Sequence, residues 1–147
     1  MRIHYPAVFA SAAAYWVLGA LWYSPLLFAG QFIALKGYTP EQLAALQAQG
    51  HAGEIGLAFV TSLVLAYVLA HFVKFTGAET APAGALTGFW LWLGFVVTTN
   101  LETVIFEGRP LGLYLINNGY HLVGLLGMGA LLAVWRRRDA RVPAYQS

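Results

Sequence analysis

The sequence contains no cysteine. Disulfides, thiolate metal sites and cysteine nucleophiles are thereby excluded, while the compartment stays open. Charge is scarce as well. Only 10% of the 147 residues are charged, where a water-soluble domain carries about a quarter. So short a chain has too much surface for so few charges to keep it in water. Lipid is the solvent this composition fits. The net charge of +2 is no nucleic-acid signal, and Arg136, Arg137 and Arg138 stand together beside an apolar run rather than in a basic patch. What the chain has in abundance is apolar and aromatic: 59% hydrophobic, 15% aromatic, with a mean hydropathy of +0.64.

A hydrocarbon core about 30 Å thick needs roughly 20 apolar residues in helical form. Four stretches qualify, over about 5–23, 55–75, 82–106 and 111–135, each closed by turn or charge signals such as Ser24-Pro25, Thr76-Gly77 and Gly108-Arg109-Pro110. The expected fold is all-α and integral to the membrane, a single domain of four transmembrane helices. The first run follows Arg2 like a signal peptide, but its apolar stretch is long, and it reads as a retained helix. Four spans place both termini on one side, together with the connection between spans two and three. That side holds Arg2, Lys74, Arg136, Arg137, Arg138 and Arg141, against Lys36 and Arg109 on the other. Basic residues favour the cytoplasmic face, so both termini and the tail over 136–147 are expected in the cytoplasm, with the chain in the inner (plasma) membrane. Trp22, Tyr23 and Trp135 fall where amphipathic rings anchor helix ends.

The connection over 24–53 is too long for an idle loop. Ser24-Pro25 reads as an N-cap with proline at the first helical position, opening a helix that ends at Lys36-Gly37. Thr39-Pro40-Glu41-Gln42 fits a capping box and opens a second short helix closed by Gly50. One or two short interfacial helices are expected here. The alternative is that span one continues past Pro25 as a kinked helix to about Lys36.

The run Gly19-Ala20-Leu21-Trp22-Tyr23-Ser24-Pro25-Leu26-Leu27-Phe28-Ala29-Gly30 is the most distinctive text in the chain. It resembles the opening of a family of small membrane proteins known as domain of unknown function 1761, in which a glycine-bearing first helix leads into Trp-Tyr-Ser-Pro and a Leu-Phe-Gly-like continuation. Here that last element reads Leu27-Phe28-Ala29-Gly30, with the glycine one residue late. Length, span number and the long first connection also resemble the family. The resemblance implies the four-helix architecture and no activity. Physically, the motif is either an interfacial anchor and turn, or a source of Tyr23 and Ser24 for a polar site.

Ionisable and amide groups within a span are expensive and point to function by default. At a rise of about 1.5 Å per residue, Glu102 lies about 6 Å and Asn100 about 9 Å below the outer end of span three. Asn117 and Asn118 of span four lie about 10 Å deep, His121 about 15 Å, and Thr61 and Ser62 of span two about 10 Å. These residues share one layer. Asn117 and His121 share a helix face, as do Tyr114 and Asn118. Asn100 and Glu102 lie about 160° apart on theirs, so they cannot both point at one neighbour. The candidate ligand-binding set is Glu102, Asn100, Asn117, Asn118, His121, Tyr23 and Ser24, with His121 or Arg109 as partner to Glu102. The bland reading is that Glu102 reaches the interface or pairs with Arg109, while the asparagines and His121 are interhelical glue.

No catalytic residue, cofactor or metal site is assigned. No pair of residues has the His-x-x-x-His or Glu-x-x-His spacing of a metal helix, and His71 sits at the opposite end of the bundle from His121. Small multidrug exporters share the four-helix size but carry an acid on their first span, which here has none. Gly84, Gly88, Gly124, Gly127 and Gly129 suit close helix packing, either inside the bundle or between protomers of a homo-oligomer. The expected partners are membrane lipids and a second copy of the chain, not nucleic acid. Two functions lead: binding or transport of a small polar molecule, lipid headgroup or proton through the outer polar layer, or a non-catalytic scaffold or assembly role. A membrane enzyme comes third, because no nucleophile, metal set or paired carboxylates stand at working distance.

Overall fold

The computed structural model describes the backbone over residues 3–141 and the side chains over residues 3–136. Arg2, residues 142–147 and the side chains of Arg137, Arg138 and Arg141, all invoked in the charge argument above, lie outside them. The regular elements among the described residues are all helical: α1 (Tyr5–Trp22), α2 (Ala29–Lys36), α3 (Pro40–Ala48), α4 (Ala52–Phe75), α5 (Ala81–Leu91), a π-helical segment (Trp92–Val97), α6 (Thr98–Ile105) and α7 (Leu111–Arg141). Four stretches are long and apolar enough to cross a membrane: α1, α4, the continuous run from α5 through α6, and α7 as far as Arg136.

Local chemistry sets the helix ends. His4 caps α1 by accepting the Ala7 N–H at 3.1 Å, ahead of Pro6. Thr80 caps α5 through Ala83 N–H, ahead of Pro82. The Thr39 hydroxyl and Gln42 side chain complete the expected capping box at α3, which closes at Ala48 rather than Gly50. Gly37 ends α2 with φ at 67°, where a side chain would be strained.

The start of α2 differs from the sequence expectation. Ser24 opens no helix. Its hydroxyl donates to Leu21 O at 2.7 Å and accepts from Leu26 N–H, which folds residues 24–28 into a turn and delays α2 to Ala29. The chain therefore leaves α1 at the Ser-Pro step. It does not continue as a kinked helix.

Helix α7 is the axis of the bundle: it touches α1, α2, α4, α5, the π segment and α6. Its closest neighbour is α5. A methyl group at Gly84 would overlap the Gly129 carbonyl, one at Gly129 would overlap the Gly84 carbonyl, and one at Gly88 would overlap the Leu125 carbonyl. Gly124 accommodates the Tyr15 ring from α1 in the same way. These glycines are spent inside the chain, whereas Gly127 faces open space. At the far end Arg136 donates to Ala78 O at 3.0 Å and lies 3.8 Å from Glu79, tying the end of α7 to the α4–α5 turn. Between them Leu69, Val73, Leu125, Met128 and Leu132 fill the core.

Gly88→Ala drives a Cβ into backbone that cannot retreat and destabilises by about 1–3 kcal/mol. Gly127→Ala, meeting nothing, is neutral or stabilising by up to about 1 kcal/mol. Thermal unfolding of the two variants in one detergent checks the order. At the α3–α4 junction, His51 contacts Glu54 at 2.8 Å and Leu46 O at 2.9 Å, and these partners, the carboxylate foremost, raise its pKa. A raised folded pKa means that the clasp is fully present below the unfolded value of about 6.5 and lost as pH rises through the folded value. NMR titration should place the His51 midpoint lower in Glu54→Gln than in the wild type.

Candidate functional site

Two faces of α7 carry the polar residues, as the four-residue spacing requires. One face meets α1: the Tyr23 hydroxyl donates to Asn117 Oδ1 at 2.7 Å, and the Tyr15 hydroxyl is 2.7 Å from His121 Nδ1. The other face meets span three: Asn118 accepts from Asn100 Nδ2 at 3.3 Å and anchors its own amide on Tyr114 O at 2.8 Å. Asn118 is only 3% exposed, the most buried of the group.

Aromatic side chains complete the layer, and sequence reasoning missed most of them. Trp22 donates its indole N–H to Ile116 O at 3.0 Å, and Trp92 donates to Asn118 O at 2.9 Å. The Tyr120 hydroxyl donates to Tyr15 O at 3.2 Å, with the Tyr15 and Tyr120 rings stacked at 4.7 Å. Trp22 therefore turns inward and clasps α7 instead of serving only as an interfacial anchor. The available signal was positional: Tyr15 and Trp22 are seven apart, two turns along one face of α1.

The π-helical segment was not legible in the sequence. It phases span three. Without it, Trp92 and Asn100 would lie about 80° apart. One extra residue in the widened turn takes back about 100°, which sets both beside Asn118. Hydroxyls satisfy carbonyls in and beside the widened turns: Thr98 donates to Gly94 O, Thr99 to Phe95 O, and Tyr114 to Val97 O.

Turning Asn100 toward α7 turns Glu102 away. Two residues on, Glu102 points about 160° from Asn100, and it is exposed. Neither expected partner reaches it. Arg109 pairs with Glu107 at 2.7 Å, because the loop after α6 brings those two together, and His121 is held by Tyr15. Ser24 is engaged with its own turn. Thr61 and Ser62 both donate to Ala58 O on their own helix and join no layer. The candidate site therefore narrows to Tyr23, Asn117, Asn118, Asn100 and His121, and gains Tyr15, Trp22, Trp92, Tyr114 and Tyr120. Among the described residues no three His, Asp or Glu side chains gather where they could hold a metal ion.

Two hydrogen-bonding positions on the α1-facing side of the layer remain open. His121 is bonded through Nδ1 alone and Asn117 through one amide atom. Both residues are half-buried, and neither contributes an enclosed orphan atom. The unused His121 nitrogen and Asn117 amide atom are thus not fully sealed in the core. They sit six and ten residues into α7, about 9 and 15 Å along its axis.

Removing the buried member should weaken the bundle while removing the exposed acid should not. Asn118→Leu is expected to cost about 1–2 kcal/mol, at the upper end for interhelical hydrogen bonds. Glu102→Gln should stay within about 0.5 kcal/mol of wild type. Chemical denaturation in mixed micelles compares them directly.

No curated protein and no solved structure matches the chain. A family model does, the protein of unknown function family DUF1761, over residues 6–133. That match takes in all four long helices, the α2–α3 connection and the whole polar layer, and the chain belongs to the DUF1761 family.

Proposed function

We propose that this protein is a multi-pass membrane protein, both termini cytoplasmic, that binds a small polar molecule in the outer leaflet on the α1–α7 side of the polar layer. The observation that carries the reading is the pair of unused hydrogen-bonding atoms on Asn117 and His121, neither fully sealed in the core. At that depth no water is available to them, and an unpaired polar group in hydrocarbon costs several kcal/mol. Something must cover them. Tyr15 and Tyr23 hold the two side chains in place, so the donors and acceptors stand ready before a ligand arrives. The lining offers amide, phenol and imidazole groups and no formal positive charge, which suits a neutral or zwitterionic hydrogen-bonding molecule. The neighbouring π segment supports the same reading, since such segments are frequent at functional sites.

A second reading has its own support. The Asn100–Asn118 pair and the two indole N–H bonds already join helix to helix, so the layer also works as glue. In a scaffold or assembly subunit, a polar side chain of a partner helix would cover Asn117 and His121.

Native mass spectrometry of the protein released from its own membrane separates these readings. A small bound species is expected on the wild type and on Glu102→Gln, and should be lost from Asn117→Leu and Tyr23→Phe. Wild type that carries no such species would falsify the binding reading. A second protein chain that dissociates from Asn117→Leu would establish the scaffold reading in its place.

A further inference from the structure

The end of the bundle opposite the polar layer carries an apolar slot of about 360 Å³ between α4 and α5, with Phe72, Thr76, Ala83, Leu86, Thr87 and Trp90 among its walls. Ala83, Leu86, Thr87 and Trp90 follow one another at the three- and four-residue spacing of a single helix stripe. The slot therefore runs along α5 for about 10 Å, from the level of the α4–α5 turn toward the middle of the span.

Its hydroxyl donors are already spent. The Thr76 and Thr87 hydroxyls lie 3.1 Å apart, and each donates to a carbonyl of its own helix, Phe72 O and Ala83 O. Each oxygen keeps only acceptor capacity, so neither threonine offers a ligand a free donor. Hydrocarbon would strand no hydroxyl donor there. At the α4–α5 turn, Ala78 lines the slot and accepts a hydrogen bond from Arg136, so a guanidinium stands beside that end of it. Lys74 lies in the last turn of α4, beside the same turn. Against Lys74 and Arg136 stands Glu79, 3.8 Å from Arg136, so these described side chains leave one net positive charge there.

We propose that the slot seats one acyl chain of an anionic phospholipid of the cytoplasmic leaflet, its phosphate held at the Arg136 end. The proposal rests on the membrane placement given above, but not on the outer polar site. The stripe of lining residues along α5 suits a chain that starts at the α4–α5 turn and descends, and the charge at that turn selects the headgroup. The slot is distinct from the Asn117–His121 site in position and in the chemistry it accepts.

The full-length protein is titrated in micelles with phosphatidylglycerol or phosphatidylcholine and read by native mass spectrometry. One retained phosphatidylglycerol per chain is expected, bound at least tenfold more tightly than phosphatidylcholine. Ala83→Trp, which fills the slot, should abolish retention, and Asn117→Leu should leave it unchanged. The combined variant Lys74→Gln, Arg136→Gln should lose the headgroup preference while still retaining a lipid. Should Ala83→Trp not fold, phosphatidylglycerol brominated on its chains serves instead: it quenches tryptophan fluorescence with saturation near one lipid per chain, and Trp90→Phe removes the saturable part. Equal retention of the two lipids overturns the headgroup assignment. Retention that survives Ala83→Trp, quenching that never saturates, or a dimer that dissociates on filling the slot overturns the site. Loss of the small polar species without loss of phosphatidylglycerol would mark failure of the outer site alone.

Discussion

The close approach of α5 to α7 is the contact on which the remaining geometry depends. Gly84, Gly88 and Gly129 let two backbones meet without side chains between them. Once span three lies against α7 at that end, its distance and direction at the other end are set. Polar side chains farther along then reach α7 only if the helix presents the right face. An uninterrupted α-helix would carry Asn100 about 120° from the line begun by Gly88. The π-helical segment removes most of that error, and the bonds from Trp92 and Asn100 to Asn118 follow.

From this contact comes the division of the bundle into two chemically different halves. Toward the arginine end the helices pack through glycine, alanine and aliphatic side chains, and hydroxyls such as those of Thr76 and Thr87 turn back on their own helices. Toward the α2–α3 end the helices are held by side chains that bond across them, most of them aromatic. Tyrosine and tryptophan suit this task because each brings a large apolar ring and one hydrogen-bonding atom. Burial of the ring and use of the polar tip are satisfied in the same place, as with Tyr15 between Gly124 and His121.

The placement of Glu102 shows how little a residue's type reveals without its phase. An acid within an apolar run is the natural first candidate for function. Two residues earlier, however, Asn100 is turned toward α7, and helical geometry sends Glu102 outward. Arg109 is taken by Glu107 and His121 by Tyr15, so neither waits for it. The asparagines and His121 kept their place because their spacing along α7 already divided them between two neighbours.

By itself the sequence determined the features that depend on local order. Hydropathy marked four spans because a membrane-crossing helix needs an uninterrupted apolar run, and those runs became α1, α4, α5 through α6, and α7. The capping box at Thr39 and the stop at Gly37 involve residues only a few positions apart, and they were legible for that reason. The same four-residue logic paired Asn117 with His121 and Tyr114 with Asn118 on shared faces. Tertiary structure alone decided which neighbour each face would meet. Whether Ser24 began a helix or a turn depended on how the chain had to leave α1. Whether Trp22 anchored at an interface or clasped Ile116 O depended on how near α7 came. The π-helical segment depended on a conflict between the glycine contact at one end of span three and the polar contacts at the other. Such a conflict exists only between helices already packed, and no single stretch of sequence contains it.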